Sequence, residues 1–298
     1  MGAEHGHHHR IDALSGDRRV AGAIAVNLAL TVAQIVGGVL SGSLALVADA
    51  IHNLSDAVAL ILALAARRIA RRPANAAMSF GYGRAEIVAA LINYTTLCAI
   101  AFYLVAEAAM RLFDPPEIAG WTMVLIAAVA LVVDAVTVLL TLPMARHSAN
   151  MRAAYLHNLA DALGSVAVIG AGSLILLYDW RLADPIVTLG IAAYILWHVF
   201  REIAPVVRIL MLAGPAGIDR DAVVAAIGEI EGVLGVHHLH LWQIDERRMS
   251  LEAHVIVEDL TRFPALSAEI RARLKGDFGI THATLEPETA ESGCAAMV

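Results

Sequence analysis

A histidine and an aspartate four positions apart occur twice in this chain, as His52-Asn53-Leu54-Ser55-Asp56-Ala57 and as His157-Asn158-Leu159-Ala160-Asp161-Ala162. At that spacing the two side chains share one helix face, a turn apart. Each copy sits inside a long apolar stretch, where ionisable groups are costly and mark function. Two such helices face to face offer two imidazoles and two carboxylates, a tetrahedral set for a divalent metal, zinc above all. Two neutral imidazoles, two carboxylates and a divalent cation sum to zero charge, the least costly way to hold the ion in a low-dielectric interior. The ligands must be deprotonated, so metal binding releases protons. A site opened alternately to each side would therefore exchange metal for protons.

The surroundings are those of a membrane. Of 298 residues, 59% are hydrophobic and 16% charged, with mean hydropathy +0.68; soluble domains are roughly a quarter charged. Cys98 and Cys294 suggest no disulfide framework. The N-terminus shows no signal-peptide pattern, because His5, His7, His8 and His9 are followed by the charged run from Arg10 to Arg19. Six apolar segments are long enough to span a bilayer, near 19–40, 44–66, 84–111, 119–145, 152–178 and 183–204. The expected domains are a His-containing tail over 1–18, a six-helix membrane domain over 19–208 and a small soluble domain over 209–298.

Arginine placement predicts the topology. Arg10, Arg18 and Arg19 precede the first span, Arg67, Arg68, Arg71, Arg72 and Arg84 lie between spans two and three, Arg146 and Arg152 between four and five, and Arg201 and Arg208 after the sixth. The other side has only Arg111 and Arg181. The positive-inside rule then places both termini in the cytoplasm. Spans two and five run antiparallel. His52 and Asp56 fall roughly 12–18 Å from the outer end, and His157 and Asp161 roughly 8–14 Å from the inner end, at 1.5 Å per residue. Both depths are near the middle of a hydrocarbon core about 30 Å thick, so the two motifs can meet.

Beyond about residue 210 the spacing predicts a helix over 218–230, strands over 233–244 and 251–258, a helix from Pro264 to Lys275, and a strand over 280–286. That αββαβ order suits a small ferredoxin-like domain with helices on one sheet face. Of the other polar residues in the spans, Asp49 lies a turn before His52 on the access path or at the span end, and Asp134 is an accessory proton-pathway residue or an interhelical partner. Asn53 and Asn158 are expected to support the site by hydrogen bonds, and Glu107 to be interfacial or paired with Arg111.

Two HxxxD motifs on spans two and five, six spans and a short α+β tail together resemble the cation diffusion facilitator family. The resemblance extends through Ser43-Leu44-Ala45-Leu46-Val47-Ala48-Asp49, Ser79-Phe80-Gly81-Tyr82-Gly83-Arg84-Ala85-Glu86, Asn150-Met151-Arg152-Ala153-Ala154-Tyr155-Leu156-His157 and Leu210-Met211-Leu212-Ala213-Gly214-Pro215, covering most of residues 19–288. It implies a homodimeric metal/proton antiporter exporting Zn2+ through a site formed by His52, Asp56, His157 and Asp161, with lipid, divalent cations and protons as partners and no nucleic acid. It also implies transport for the domain at 19–208 and cytoplasmic metal sensing and dimerisation for the domain at 209–298. The Arg- and Ala-rich composition suggests a bacterial inner membrane. Histidine in both motifs resembles the zinc-preferring pattern; cadmium, cobalt, nickel, iron or manganese efflux is the alternative. The loop Arg71-Arg72-Pro73-Ala74-Asn75-Ala76-Ala77-Met78 lacks the Asp and His ligands that some members carry there, and the loop between spans four and five has only His147.

In the tail, His237 and His254 match positions that resemble cytoplasmic zinc ligands of the family, with His282 and Glu286 as further candidates. Strand alternation places His237 on the face opposite His238 and His240, so all three are not expected in one site. The role implied is regulatory, metal favouring a dimer state that engages the transport path. An organic cofactor is not expected. A haem carrier with two axial histidines conflicts with the paired aspartates, a metalloenzyme lacks an HExxH-type element, and a sensor without transport leaves the intramembrane sets unexplained.

Overall fold

The computed structural model describes residues 28–145 and 149–291; the side chains at 60, 140, 141, 143–145, 149–154 and 157 are outside the described set. The expectations for the N-terminal histidines, for 19–27, for His147 and for Cys294 therefore fall outside the described residues. The apolar segments form α1 (Leu28–Ser41), α2 (Leu44–Ala70), α3 (Ala85–Phe113), α4 (Gly120–Ala145), α5 (Ala149–Tyr178) and α6 (Ala183–Leu210). Five of these are long and apolar enough to cross a membrane, and α1 is a shorter apolar helix whose described part starts at Leu28. The fold is a helical membrane domain of five to six apolar helices followed by a domain built on a small mixed sheet.

The helices show why lipid is their solvent. On α4, Leu125, Val129, Val132, Val136 and Leu139 recur at three- and four-residue spacing and are each at least half exposed. A stripe of that kind would be an aggregation surface in water and is a lipid face in a bilayer. The opposite faces are made of small residues. Ala45, Ala127, Ala171 and Ala183 are buried among Leu46, Met123, Val168 and Ile175, as expected where close backbone approach rather than hydrophobicity drives helix association.

Two compact units can be distinguished, residues 1–61 with 95–199 and residues 62–94 with 200–298. In the first, α1 and α2 are joined at Gly42, whose φ of 75° lies in the left-handed region. The Arg111 guanidinium, paired with Glu107 Oε1 at 2.9 Å, donates to the Gly42 carbonyl at 2.7 Å. The start of α2 is capped from another helix. The fully buried Asp184 accepts from Ser43 Oγ (2.6 Å) and from the N–H groups of Leu44 (2.9 Å) and Ala45 (3.1 Å). A carboxylate there satisfies helix donors that otherwise lack partners and complements the helix dipole.

In the second unit, α7 (Arg220–Gly228), β1 (Val233–Gln243), β2 (Met249–Val257), α8 (Phe263–Phe278) and β3 (His282–Glu288) follow in the αββαβ order. The sheet order is β1-β2-β3, antiparallel between the first pair and parallel between the second. Leu251, Ala253, Val255 and Val257 of β2 enter a core shared with Val223, Ile227, Ile270 and Leu274 of the helices. Alternation then turns Glu252, His254 and Ile256 to the helix-free face.

The turn between β1 and β2 is organised by Asp245. Its Oδ1 accepts from the N–H groups of Arg247 (3.0 Å) and Arg248 (2.9 Å), and its Oδ2 from Arg248 Nε (2.7 Å). Burial pushes this carboxyl up, but those hydrogen bonds and the Arg248 charge outweigh burial and hold it below its ordinary 3.8. A depressed value contributes stability above the unfolded value that is lost as pH falls through the folded one. Hydrogen-exchange protection of the Arg247 and Arg248 amides in the full chain is therefore expected to persist from pH 7 to pH 4 and to disappear below it. Loss already at pH 5 would contradict this role for Asp245.

Candidate functional site

α2 and α5 bring one histidine and two aspartates together inside the first unit. His52 Nε2 is 3.4 Å from Asp161 Oδ1 and 3.9 Å from Asp56 Oδ2. The His52 and Asp161 side chains are 7% and 10% exposed, whereas Asp56 is 39% exposed, so one carboxylate is accessible while the other two groups are largely buried. His157 lies on the α5 turn before Asp161, with its side chain outside the described set. Tyr194 of α6 stands edge-on to the His52 ring at 5.9 Å between centroids. A cavity of about 440 Å3 opens onto the cluster, lined by Asp49, His52, Asp161, Gly164, Tyr194 and apolar groups of α6.

Behind His52 lies a polar network running towards α1. Gln34 Nε2 donates to Asp49 Oδ2 at 2.7 Å, and Asn53 Nδ2 donates to Gln34 Oε1 at 3.4 Å. Gln34, Asp49 and Asn53 are all buried. Asp49 thus sits in a hydrogen-bonded interior position rather than at a wet span end, and it also lines the cavity. Asp134 of α4 accepts from Ser165 Oγ of α5 at 2.9 Å, an interhelical bond. Asn158 is half-buried, and among the described residues it makes no side-chain hydrogen bond to the cluster. Gln34, Ser165, Tyr194 and Asp184 were not singled out from the sequence. Their signal was a lone polar residue in an apolar span, which says that a partner exists without naming it.

A second cluster lies on the helix-free face of the sheet. In register, His237 of β1 is opposite His254 of β2, which is opposite Glu286 of β3. One strand repeat further along β3, Glu288 bridges both histidines, with Oε1 2.6 Å from His254 Nδ1 and Oε2 3.2 Å from His237 Nε2. His237, His254 and Glu288 each bring one ligand atom within 4.8 Å of the others. His237 Nε2 and Glu288 Oε2 are buried without a hydrogen bond, the condition a metal would relieve. Glu286, 68% exposed, approaches His254 Nε2 at 3.6 Å. His282 is exposed at the far end of β3, edge-on to Phe80 at 5.7 Å, and is not in the cluster.

Simple alternation fails on β1. The register shifts between His237 and His240, and His238 has a φ of 48°, the mark of a β-bulge. The bulge turns His238 towards His254, with 4.8 Å between ring centroids, while His237 keeps a 5.3 Å approach to the same ring. His237 and His238 therefore both approach the His254 ring instead of pointing to opposite faces.

Buried ligand-type residues in a multi-helix membrane core, joined to a small mixed-sheet domain, define an integral membrane metal-handling protein. Residues 20–211 match the cation efflux transmembrane domain and residues 215–290 match the cation efflux protein cytoplasmic domain. The chain belongs to the cation efflux family, the cation diffusion facilitators. It is 35% identical over 292 residues to the metal cation efflux system protein CzcD of Cupriavidus metallidurans, covering 97% of this chain and 91% of that protein. It is 36% identical over 284 residues to the zinc transporter ZitB of Pectobacterium atrosepticum (95% and 88%). It is also 35% identical over 261 residues to the cadmium, cobalt and zinc/H(+)-K(+) antiporter of Bacillus subtilis (86% and 84%).

Proposed function

We propose that this protein exports Zn2+ from the cytoplasm in exchange for protons, with His52, Asp56, His157 and Asp161 holding the ion in transit. The observation that carries the reading is the buried approach of His52 Nε2 to Asp161 and Asp56 from two different helices. Imidazole nitrogen suits zinc and cadmium better than manganese, which favours oxygen ligands. Two carboxylates cancel the ionic charge inside a low-dielectric core. Protons and metal compete for the same lone pairs, so occupancy alternates between them. The cavity beside Tyr194 supplies a path to the cluster from one side, and the exposed edge at Asp56 gives the ion a partly hydrated first contact. Zinc relatives in bacteria support a bacterial inner membrane as the location, and the arginine asymmetry supports cytoplasmic termini.

The test is zinc accumulation in proteoliposomes that enclose a zinc-sensitive dye, with a pH gradient imposed in either direction. Zinc is expected to accumulate in acidic lumens and to stay near equilibrium when the gradient is collapsed. Accumulation that ignores the gradient would refute proton coupling, and parallel trials with cadmium, cobalt and manganese would rank the substrates.

The domain at 209–298 is read as a regulatory module of a homodimer, with His237, His254 and Glu288 fitting a metal through two nitrogens and one carboxylate oxygen. Removing Glu288 by Glu288→Gln is expected to weaken zinc binding at this face by more than about tenfold, since even residues that only orient metal ligands cost 10–100-fold. Equilibrium dialysis of the full chain should then show one tight zinc site fewer per chain. An unchanged count of tight sites would exclude Glu288 as a ligand.

A further inference from the structure

The second unit contains a cleft whose two halves differ in character. One half is a cavity of about 580 Å3 lined by Arg67, Arg71, Arg72, Arg247 and Arg248, five guanidinium groups, against the acids Glu86, Asp245 and Glu246. The acids do not neutralise it. Asp245 is engaged by Arg248 at 2.7 Å, and Glu86 approaches Arg67 only at 3.9 Å. Arg71, Arg72 and Arg247 are exposed, and among the described residues their guanidinium groups have no ion-pair partner. The other half is an apolar cavity of about 800 Å3 that includes Leu62, Ile69, Val88, Ile92 and Trp242. Phe80, Gly81, Tyr82, Gly83 and Arg248 line both halves, so the two cavities adjoin.

The framework of the cleft is fixed. Arg248 donates to the Phe80 carbonyl at 3.0 Å, and Arg84 Nε donates to the Ile244 carbonyl at 2.9 Å. Asn75 orders the loop after α2, accepting from the N–H groups of Ala77 and Met78 and donating to Tyr82 Oη at 2.9 Å. The arginines stand where the apolar run of α2 ends, the level at which a bilayer changes from acyl chain to headgroup.

From this juxtaposition we propose that the cleft binds one anionic glycerophospholipid per chain, its phosphate in the arginine pocket and an acyl chain along the groove of Leu62, Val88 and Ile92. Guanidinium forks match phosphate oxygens. An adjoining wall of aliphatic side chains offers nothing to a free phosphate but much to an acyl chain. A soluble anion would use only half of the cleft and an uncharged lipid only the other half. The inference does not depend on which cation the protein carries. Its consequence is that lipid would tie the loop after α2 to the β1–β2 turn, making the packing of this unit sensitive to membrane charge.

The test uses the full chain in neutral detergent, delipidated and followed by native mass spectrometry and thermal unfolding. The additions are a phosphatidylglycerol, a phosphatidylcholine with the same chains, and glycerol 3-phosphate. The parent is expected to retain one phosphatidylglycerol per chain and to gain thermal stability from it, with phosphatidylcholine and glycerol phosphate each far weaker. Arg71→Gln/Arg72→Gln/Arg247→Gln should weaken retention by more than about tenfold, and Ala65→Trp should do so by filling the groove. Equal retention of both lipids, undiminished binding by the triple arginine variant, or equal stabilisation by glycerol 3-phosphate would each overturn the proposal. So would a delipidated dimer that binds no phosphatidylglycerol while the monomer does, because a second copy would then cover the groove.

Discussion

Asp161→Ala is expected to abolish zinc accumulation in proteoliposomes and to lower intramembrane zinc affinity by more than about 100-fold, beyond the cost of disturbing a residue that merely orients a ligand. Asp161 is 10% exposed and stands 3.4 Å from His52 Nε2. Its loss leaves a buried imidazole facing an apolar gap and leaves the bound cation with one uncancelled charge. Affinity is best measured in a Glu288→Gln background, so that the cytoplasmic cluster does not mask the change. The folded state should survive, because Asp161 lies in an open cavity rather than in the packed helix interface. A variant that unfolds at the parent temperature yet transports zinc at the parent rate would remove Asp161 from the ion path.

Asp184→Ala should produce the largest stability loss in the membrane domain, with no direct effect on the ion cluster. Asp184 is fully buried and accepts three hydrogen bonds from Ser43, Leu44 and Ala45. Alanine leaves the first donors of α2 without acceptors, at about 1–3 kcal/mol for each unsatisfied group. The total of about 3–9 kcal/mol over three groups corresponds to a fall in the unfolding midpoint on the order of 10–20 °C for a unit of this size. Asp184→Asn retains one acceptor oxygen and should fall about half as far. A midpoint within a degree or two of the parent would mean that water replaces the cap and that α2 is not anchored through α6.

The architecture was legible because its determinants are local. Runs of about 20 apolar residues leave the backbone few options in lipid except helix, and β2 carries a two-residue alternation that its burial reproduces at Leu251, Ala253, Val255 and Val257. Spacing within one helix places His52 and Asp56 on a common face. It says nothing about Gln34 of α1 or Tyr194 of α6, because which residues meet across helices is set by packing of small side chains along whole spans. Asp184 reads as an ordinary acidic residue at a helix start until Ser43 is seen beside it.

The cytoplasmic cluster was read less completely, for two physical reasons. The end of β3 is decided by its pairing with β2, which carries the strand through Pro287 on the sheet edge to Glu288 opposite Ile256. The sequence pattern stopped the strand at 286 and so left out the carboxylate that bridges the histidines. The bulge at His238 depends on a left-handed backbone at a residue that is not glycine, for which no side-chain pattern gives a signal. His282, grouped with the cluster by composition, is separated from it by most of the length of β3.

The most direct measurement is zinc-driven proton movement, followed with a pH dye enclosed in proteoliposomes, for the parent and for Asp161→Ala side by side. Zinc added outside is expected to drive protons out of parent vesicles, and the variant is expected to show only the leak of empty liposomes. Proton flux of equal size in both, or zinc entry into parent vesicles with no proton movement at all, would contradict it.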